Sequence, residues 1–236
     1  MQFNKMSASI IESIEQIKTM ENDKRDLEIK SLKAQINPHF LYNTLNVIKY
    51  MALIIKANNI VDCITALGNI LLPLYKDFNI SCSINEEINY VKNYIKIMNY
   101  RFGERIKVDL IIPDALQKCE ILRFILQPLI ENSLSHGAGS DRKIINIDIT
   151  AEEIDGVVQL NIEDNGTGMN QEKLAEVREL LLNASKQDNI RENRVGLSNV
   201  QRRLKLHYGE NYGMVISSEM GTGTLVTLNF PKVSAS

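Results

Sequence analysis

Ser31-Leu-Lys-Ala-Gln-Ile-Asn-Pro-His-Phe-Leu-Tyr-Asn-Thr-Leu-Asn46 reads as part of a long helix with one histidine near its middle. Leu32, Ile36, Phe40, Val47 and Tyr50 recur at helical intervals, which leaves Gln35, His39, Asn43 and Asn46 on the polar side. His39 and Asn43 stand four residues apart and therefore share one surface. Pro38 has no amide hydrogen for the carbonyl of Ala34, and its ring crowds that carbonyl, so the helix is expected to bend just before the histidine. A neutral imidazole offers a nitrogen lone pair at physiological pH and can attack a phosphoryl group without first losing a proton. A solvated helix histidine is the plainer alternative, and the choice between the two rests on the rest of the chain.

Toward the N-terminus, Phe3, Met6, Ile10, Ile17, Met20 and Leu27 fall on three-, four- and seven-residue spacings, the seam of a weak coiled coil and hence of a dimer. By residue 32 that stripe has slipped by one position, as a stutter requires. Toward the C-terminus, residues 24–57 read as one helix and Asn58-Asn59 as its break. Ile60, Ile64, Leu67, Leu71 and Leu74 then start a second stripe, which makes a helical hairpin. Two such hairpins bury both stripes as a four-helix bundle, so homodimerisation is expected.

With 236 residues, 44% hydrophobic content and a net charge of −2, the chain has room for one moderate globular domain plus a helical extension. Its 27 basic and 29 acidic side chains are interspersed, so nothing in the charge pattern argues for a nucleic-acid partner. Cys63, Cys82 and Cys119 are far apart and odd in number, which supports neither a disulfide framework nor a zinc site. No apolar run reaches the ~18 residues of a membrane span, and no signal-peptide pattern follows Met1.

Residues 79–85 read as a connector with a brief strand, and Glu86 to Phe102 as a helix with Ile88, Val91, Ile95 and Met98 on one face, ended by Gly103. The period then changes to two over Ile106, Val108, Leu110 and Ile112. Helix is expected again from Ile121 to Gly137. Ile145, Ile147, Ile149 and Ala151 alternate with polar residues, Asp155-Gly156 is a strong hairpin turn, and Val158, Leu160 and Ile162 line the inner face of the return strand. Strands near 213–218 and 224–230 flank a turn holding Gly221 and Gly223. Strands and helices do not alternate as strict βαβ units, so the fold class is α+β: a helical hairpin followed by an α/β sandwich with a mixed sheet.

Three polar islands interrupt this framework. Glu131-Asn132-Ser133-Leu134-Ser135-His136-Gly137 ends a helix, and an amide with a carboxylate facing a cleft suits hydrated Mg²⁺. Asp164-Asn165-Gly166-Thr167-Gly168-Met169 follows a strand; its glycines let backbone approach a flat ligand, and an aspartate accepts a hydrogen bond from an exocyclic amine such as that of adenine. Val195-Gly196-Leu197-Ser198-Asn199-Val200 opens a helix whose terminal amides suit phosphate oxygens. Residues 183–195 between the last two are polar, as a lid over a ligand is. Each island alone has an ordinary structural explanation. Their order is the specific signal.

Together with the opening stretch, the islands resemble the sensor histidine kinases of two-component systems, in particular the LytS/YesM-like branch. That branch's phosphoacceptor box, Q-I-N-P-H-F-L-Y-N-T-L-N, stands intact from Gln35 to Asn46. Gln127 to Asn132 looks like its N box, Asp164 to Gly168 its D-x-G-x-G box, Gly196 to Asn199 its second glycine box, and Gly221 to Thr224 its last. The resemblance covers about Phe3 to Pro231 and divides the chain into a HAMP-like linker end at 1–23, a dimerisation and phosphotransfer domain at 24–80 and a catalytic ATP-binding domain at 81–233.

The resemblance implies that His39 receives the γ-phosphoryl group of ATP in a homodimer and passes it to an aspartate of a response regulator receiver domain. It makes Asn132 the Mg²⁺ ligand and Asp164 the reader of adenine. Gly166, Gly168, Gly196, Leu197, Asn199, Gly223 and Thr224 belong to the nucleotide pocket, and Asn43 orients a water for dephosphorylating the regulator. It also implies a parent protein anchored in the membrane through a portion preceding this chain, with this region cytoplasmic. Phe40 stands where many histidine kinases carry an acid after the phosphoacceptor, Arg194 where the second glycine box often begins with glycine, and Ser135 where lysine is frequent. An ATP hydrolase of the same superfamily would carry a catalytic glutamate four residues before the N-box asparagine, where this chain has Pro128. A nucleotide-binding dimeric scaffold is the other alternative.

Overall fold

The computed structural model describes residues 38–76, 79–137, 144–184 and 195–233. The expectations for the coiled-coil stretch 3–27, for residues 31–37 before the histidine and for most of the 183–195 lid lie outside the described residues. The chain divides into two compact units, Met1–Lys56 and Ala57–Ser236.

In the first unit, α1 is helical over Pro38–Ile54, the described residues of this stretch. The Thr44 hydroxyl donates to the carbonyl of Phe40 at 2.8 Å. The break after this helix comes earlier than Asn58-Asn59: Lys56 takes a left-handed conformation (φ 55°), and α2 (Asn58–Lys76) already begins at the asparagines. Ile60 and Val61 N–H both bond the carbonyl of Ala57, at 3.0 and 3.1 Å, so the new helix is nucleated before the asparagine pair ends.

The second unit starts with α2 and its contact to α3 (Ile84–Phe102). Ala66 and Ile70 are buried on α2. Lys96 pairs with Asp62 at 3.0 Å, the Tyr100 hydroxyl donates to the same carboxylate at 3.3 Å, and Asn69 Nδ2 donates to Asn93 Oδ1 at 3.2 Å. Of the sequence stripe, Ile60 is exposed and Ile64, Leu67 and Leu71 are only half-buried, so α2 turns a different face to α3 than the one its periodicity advertises. α3 begins earlier than Glu86 because Ser83 caps it: its hydroxyl accepts from Glu86 N–H at 3.2 Å, and the Glu86 carboxylate accepts from Ser83 N–H at 2.9 Å.

A five-stranded sheet follows, built from β2 (Ile106–Ile111), β4 (Ile145–Ile154), β5 (Val157–Asp164), β6 (Gly213–Glu219) and β7 (Gly223–Pro231), in the order β2-β4-β5-β7-β6. Only β2 and β4 run parallel, so the sheet is mixed as expected. The β4–β5 hairpin turns at Asp155-Gly156, both at positive φ, and its register pairs Ile149 with Ile162 and Ile147 with Asp164. The last strand in sequence, β7, lies between β5 and β6 rather than at an edge, and sets Thr224 opposite Asp164.

The stretch Ile121–Gly137 is not one helix. Glu120–Leu122 is a strand, β3, paired antiparallel with β1 (Ser81–Ser83), and the helix α5 (Gln127–Gly137) begins only after a turn through Phe124, whose φ is 55°. Pro128 therefore sits in the first turn of α5, where it is tolerated. A short helix α4 (Asp114–Gln117) precedes β3, α6 (Gln171–Leu182) is capped by Asn170, and α7 (Val195–Tyr208) follows. Helices α5, α6 and α7 pack on the inner face of the sheet, over a core that includes Ile147, Ile149, Leu160, Leu228 and Phe230. On the other face, Asn146 and Asp148 of β4 are exposed.

Candidate nucleotide site

The three islands meet at one end of this sandwich. Asp164 is the last residue of β5, and its carboxylate is held from two sides: Oδ2 accepts the Ser133 hydroxyl at 2.8 Å, and Oδ1 accepts Gly166 N–H at 2.9 Å. Each oxygen keeps lone-pair capacity for a further donor. Ser133 belongs to α5, so this bond ties the first island to the second.

Asn132 precedes Ser133, and its Nδ2 is buried with no hydrogen-bond partner among the described residues. A Cβ built at Gly196 would come within 3.8 Å of that nitrogen and of Pro128 Cβ. The third island thus faces the first. A buried amide without a partner is costly unless something fills its place. Side-chain oxygen and nitrogen positions are interchangeable by a flip, so Asn132 presents either a phosphate-binding donor or a metal-binding oxygen, and the residues fit a magnesium nucleotide. Among the described residues no cluster of three or more His, Cys, Asp or Glu side chains could hold a metal ion by itself.

The neighbouring carboxylate does not join Asn132. Glu131 is exposed; it accepts a hydrogen bond from Gln127 Nε2 at 3.0 Å and one from the Tyr94 hydroxyl of α3. Burial, followed by the charge of Glu131, pushes the Tyr94 phenol up to about 12.

Two of the glycines have a structural duty. A side chain at Gly168 (φ 63°) would run into the carbonyl of Glu219, and one at Gly223 (φ 140°) into the carbonyl of Asp164. The turn after β5 and the turn between β6 and β7 are pressed together backbone to backbone. Ser218 stitches them: its hydroxyl oxygen accepts Met169 N–H at 2.9 Å, lies 2.7 Å from the Gly223 carbonyl and 2.9 Å from Thr224 Oγ1. Asn165 fastens the same end to β4, accepting Asn146 N–H at 2.9 Å and donating to the Ile144 carbonyl at 3.1 Å.

On α7, Leu197 is half-buried and packed against the core, Ser198 is buried and Asn199 is exposed. Gly166 is buried. On α1, the backbone at His39 is helical and Asn43 is exposed. Ser133 and Ser218 were not among the residues the sequence pointed to. Ser133 could have been found from its place beside Asn132, whereas a serine at the end of a strand carries no signal.

Residues 27–106 match the model of the family described as histidine kinase, and residues 118–234 that of the histidine kinase-, DNA gyrase B- and HSP90-like ATPases. Sensor histidine kinase YesM of Bacillus subtilis is 34% identical over 210 residues, 88% of this chain and 34% of that protein. Sensor protein kinase HptS of Staphylococcus aureus is 29% identical over 218 residues, 92% of this chain and 41% of its own length. The chain therefore spans well under half the length of these relatives. The catalytic domain of the histidine kinase ThkA is a looser likeness, 16% identical with a TM-score of 0.49, covering 65% of this chain and 97% of that one.

The chain belongs to the sensor histidine kinases, with a histidine-bearing helical region followed by the family's ATPase-type domain. Within that family it falls in the LytS/YesM-like branch.

Proposed function

We propose that this chain is the kinase region of a sensor that phosphorylates itself on His39 from Mg-ATP and passes the phosphoryl group to an aspartate of a response regulator. The observation that carries the nucleotide half of this reading is the meeting of Asn132, Asp164 and Gly196, three separated stretches of sequence, around one partnerless buried amide. Asp164, oriented by Ser133 and Gly166, accepts the exocyclic amine of adenine. Gly196 leaves room beside Asn132 for phosphate oxygens. Mg²⁺, held at Asn132, supplies charge neutralisation at the phosphates.

An imidazole nitrogen of His39 attacks the γ-phosphorus, the bond to the bridging oxygen breaks, and ADP leaves; positioning and charge neutralisation, not a strong base, lower this barrier. Asn43, one turn further along α1, orients a water that hydrolyses the regulator's aspartyl phosphate, releasing inorganic phosphate and the free carboxylate. The reading keeps the division into a phosphotransfer domain at 24–80 and a catalytic domain at 81–233. It takes the working unit to be a homodimer and sets the region on the cytoplasmic side of the membrane, where ATP and regulators are; no described helix is long and apolar enough to cross a bilayer.

His39→Gln is the deciding variant. It should bind Mg-ATP as the unaltered chain does and show no acid-labile label from γ-labelled ATP; label that persists overturns the assignment. Steady phosphate release unaffected by the loss of His39 would point instead to an ATP hydrolase, against which Pro128 stands.

A further inference from the structure

The turn that launches α5 is gripped from two helices by groups the nucleotide chemistry does not use. Glu87, on α3, is fully buried (0% exposed), and it lies on the apolar stripe of its helix between Ile84 and Val91. Its Oε2 accepts Phe124 N–H at 2.8 Å and its Oε1 accepts Leu126 N–H at 2.9 Å, with the Ile125 amide also bonding the carboxylate. From the opposite side Arg203, on α7, donates through Nη1 to the Phe124 carbonyl at 3.2 Å and through Nη2 to the Arg123 carbonyl at 2.5 Å. One carboxylate holds the turn's amides and one guanidinium its carbonyls.

What they hold is the start of the Asn132 helix. Leu126, whose N–H is bound by Glu87, offers its carbonyl to Leu129 and Ile130 N–H, both at 3.0 Å, and so seeds α5. Phe124 sits at φ 55°, a conformation that a bulky residue keeps only when its surroundings dictate it. Burying a carboxyl group is costly unless its oxygens are hydrogen-bonded; burial pushes the Glu87 carboxyl up, and the Leu126, Phe124 and Ile125 amides, with the Arg203 charge nearby, oppose that rise. A plain hydrophobic residue would pack this spot more simply, so the carboxyl group's contribution lies in the backbone it orients.

We propose that Glu87 and Arg203 form a positioning clamp that fixes α5 relative to α7 and thereby sets Asn132 opposite Gly196. Arg203 shares its helix with Gly196, and the turn it grips leads within one and a half turns of helix to Asn132, so each arm of the clamp bears on one wall of the nucleotide site. Neither residue touches nucleotide. The proposal rests on the nucleotide reading above, and its failure is separable from the failure of that reading.

The test uses the whole chain with Glu87→Gln, Arg203→Lys and the double variant. Glutamine has one acceptor oxygen where the carboxylate has two, and lysine keeps the charge while losing the fork. Mg-ATP affinity, measured by calorimetry on folded protein, should fall about tenfold or more in Glu87→Gln and about threefold to tenfold in Arg203→Lys, while the rate of His39 labelling at saturating ATP changes far less. The double variant should lose less than the product of the two, because both arms hold one turn. Amide exchange should speed up at Phe124 and Leu126 and stay slow at Ile147 and Leu160. Unchanged affinity in folded variants, with only a lowered melting midpoint, overturns the clamp as a positioning device. If Glu87→Gln does not fold, Arg203→Lys decides by the same two readings. An unaltered chain that does not bind Mg-ATP brings down the nucleotide reading itself; one that binds it while the variants bind equally brings down only the clamp.

Discussion

Ser133 carries no charge, yet it sets the aspartate on which adenine recognition is proposed to depend. Without its hydroxyl, Asp164 keeps the Gly166 amide but loses the partner that fixes the plane of the carboxylate. A hydrogen bond to a charged group contributes roughly 1.5–3 kcal/mol. Ser133→Ala is therefore expected to raise the KM for ATP by about tenfold, with a smaller change in the labelling rate at saturation; steady-state labelling across an ATP series reads both. Asn132 and Asp164 could be picked out from sequence because they sit in polar runs that interrupt apolar segments. Glu87 could not be, although the signal was present: a glutamate one turn from Ile84 and Val91 on the buried face of a helix has to be satisfied by something. A single chain does not say by what.

Among elements, the contact of α2 with α3 depends most visibly on pH. The Lys96 ammonium and the Tyr100 hydroxyl hold the Asp62 carboxyl below the ordinary aspartate range against a smaller opposing desolvation. A carboxylate whose folded pKa is depressed stabilises the folded form above its unfolded pKa, and that contribution is lost as pH falls through the folded value. Asp62→Asn should thus be less stable than the unaltered chain at neutral pH and match it only at a pH well below the ordinary 3.8, under the depressed folded value, with a small gap because the pair is solvent-exposed. Urea titrations of both proteins at the two pH values measure it.

The hairpin of β4 and β5 was legible because alternation and an Asp-Gly turn agree on one register. The segment from Ile121 was not, since Ile121, Leu122, Ile125 and Leu126 are all buried, and a short apolar run hidden on every side has no period to separate strand from helix. The second stripe of α2 was read correctly as apolar, but the side-chain bonds to α3 run through Asp62 and Asn69, polar positions that a stripe search passes over.

For the whole molecule, α1 exposes Val47, Tyr50, Met51 and Ile54, which follow the spacing of a helix-packing seam. Ile54 alone is 80% exposed. Such a surface is what a second copy would cover in the proposed dimer. Placing carboxylates on it, as Val47→Glu with Ile54→Glu, should weaken self-association by about a hundredfold and leave the sheet domain folded; sedimentation equilibrium over a concentration series, with circular dichroism, checks both.

The position of β7 has a consequence for how the protein is made. Residues 223–231 come after both β5 and β6 in the chain, yet they lie between those two strands in the sheet, and Thr224 is the cross-strand neighbour of Asp164. Until the ribosome releases them, β5 lacks one of its two partners, and the turn around Gly168 has nothing to press against. A chain that stops before them presents the His39 helix but no finished candidate nucleotide pocket. On the proposed reading, a copy that stops short of these residues cannot label its own histidine.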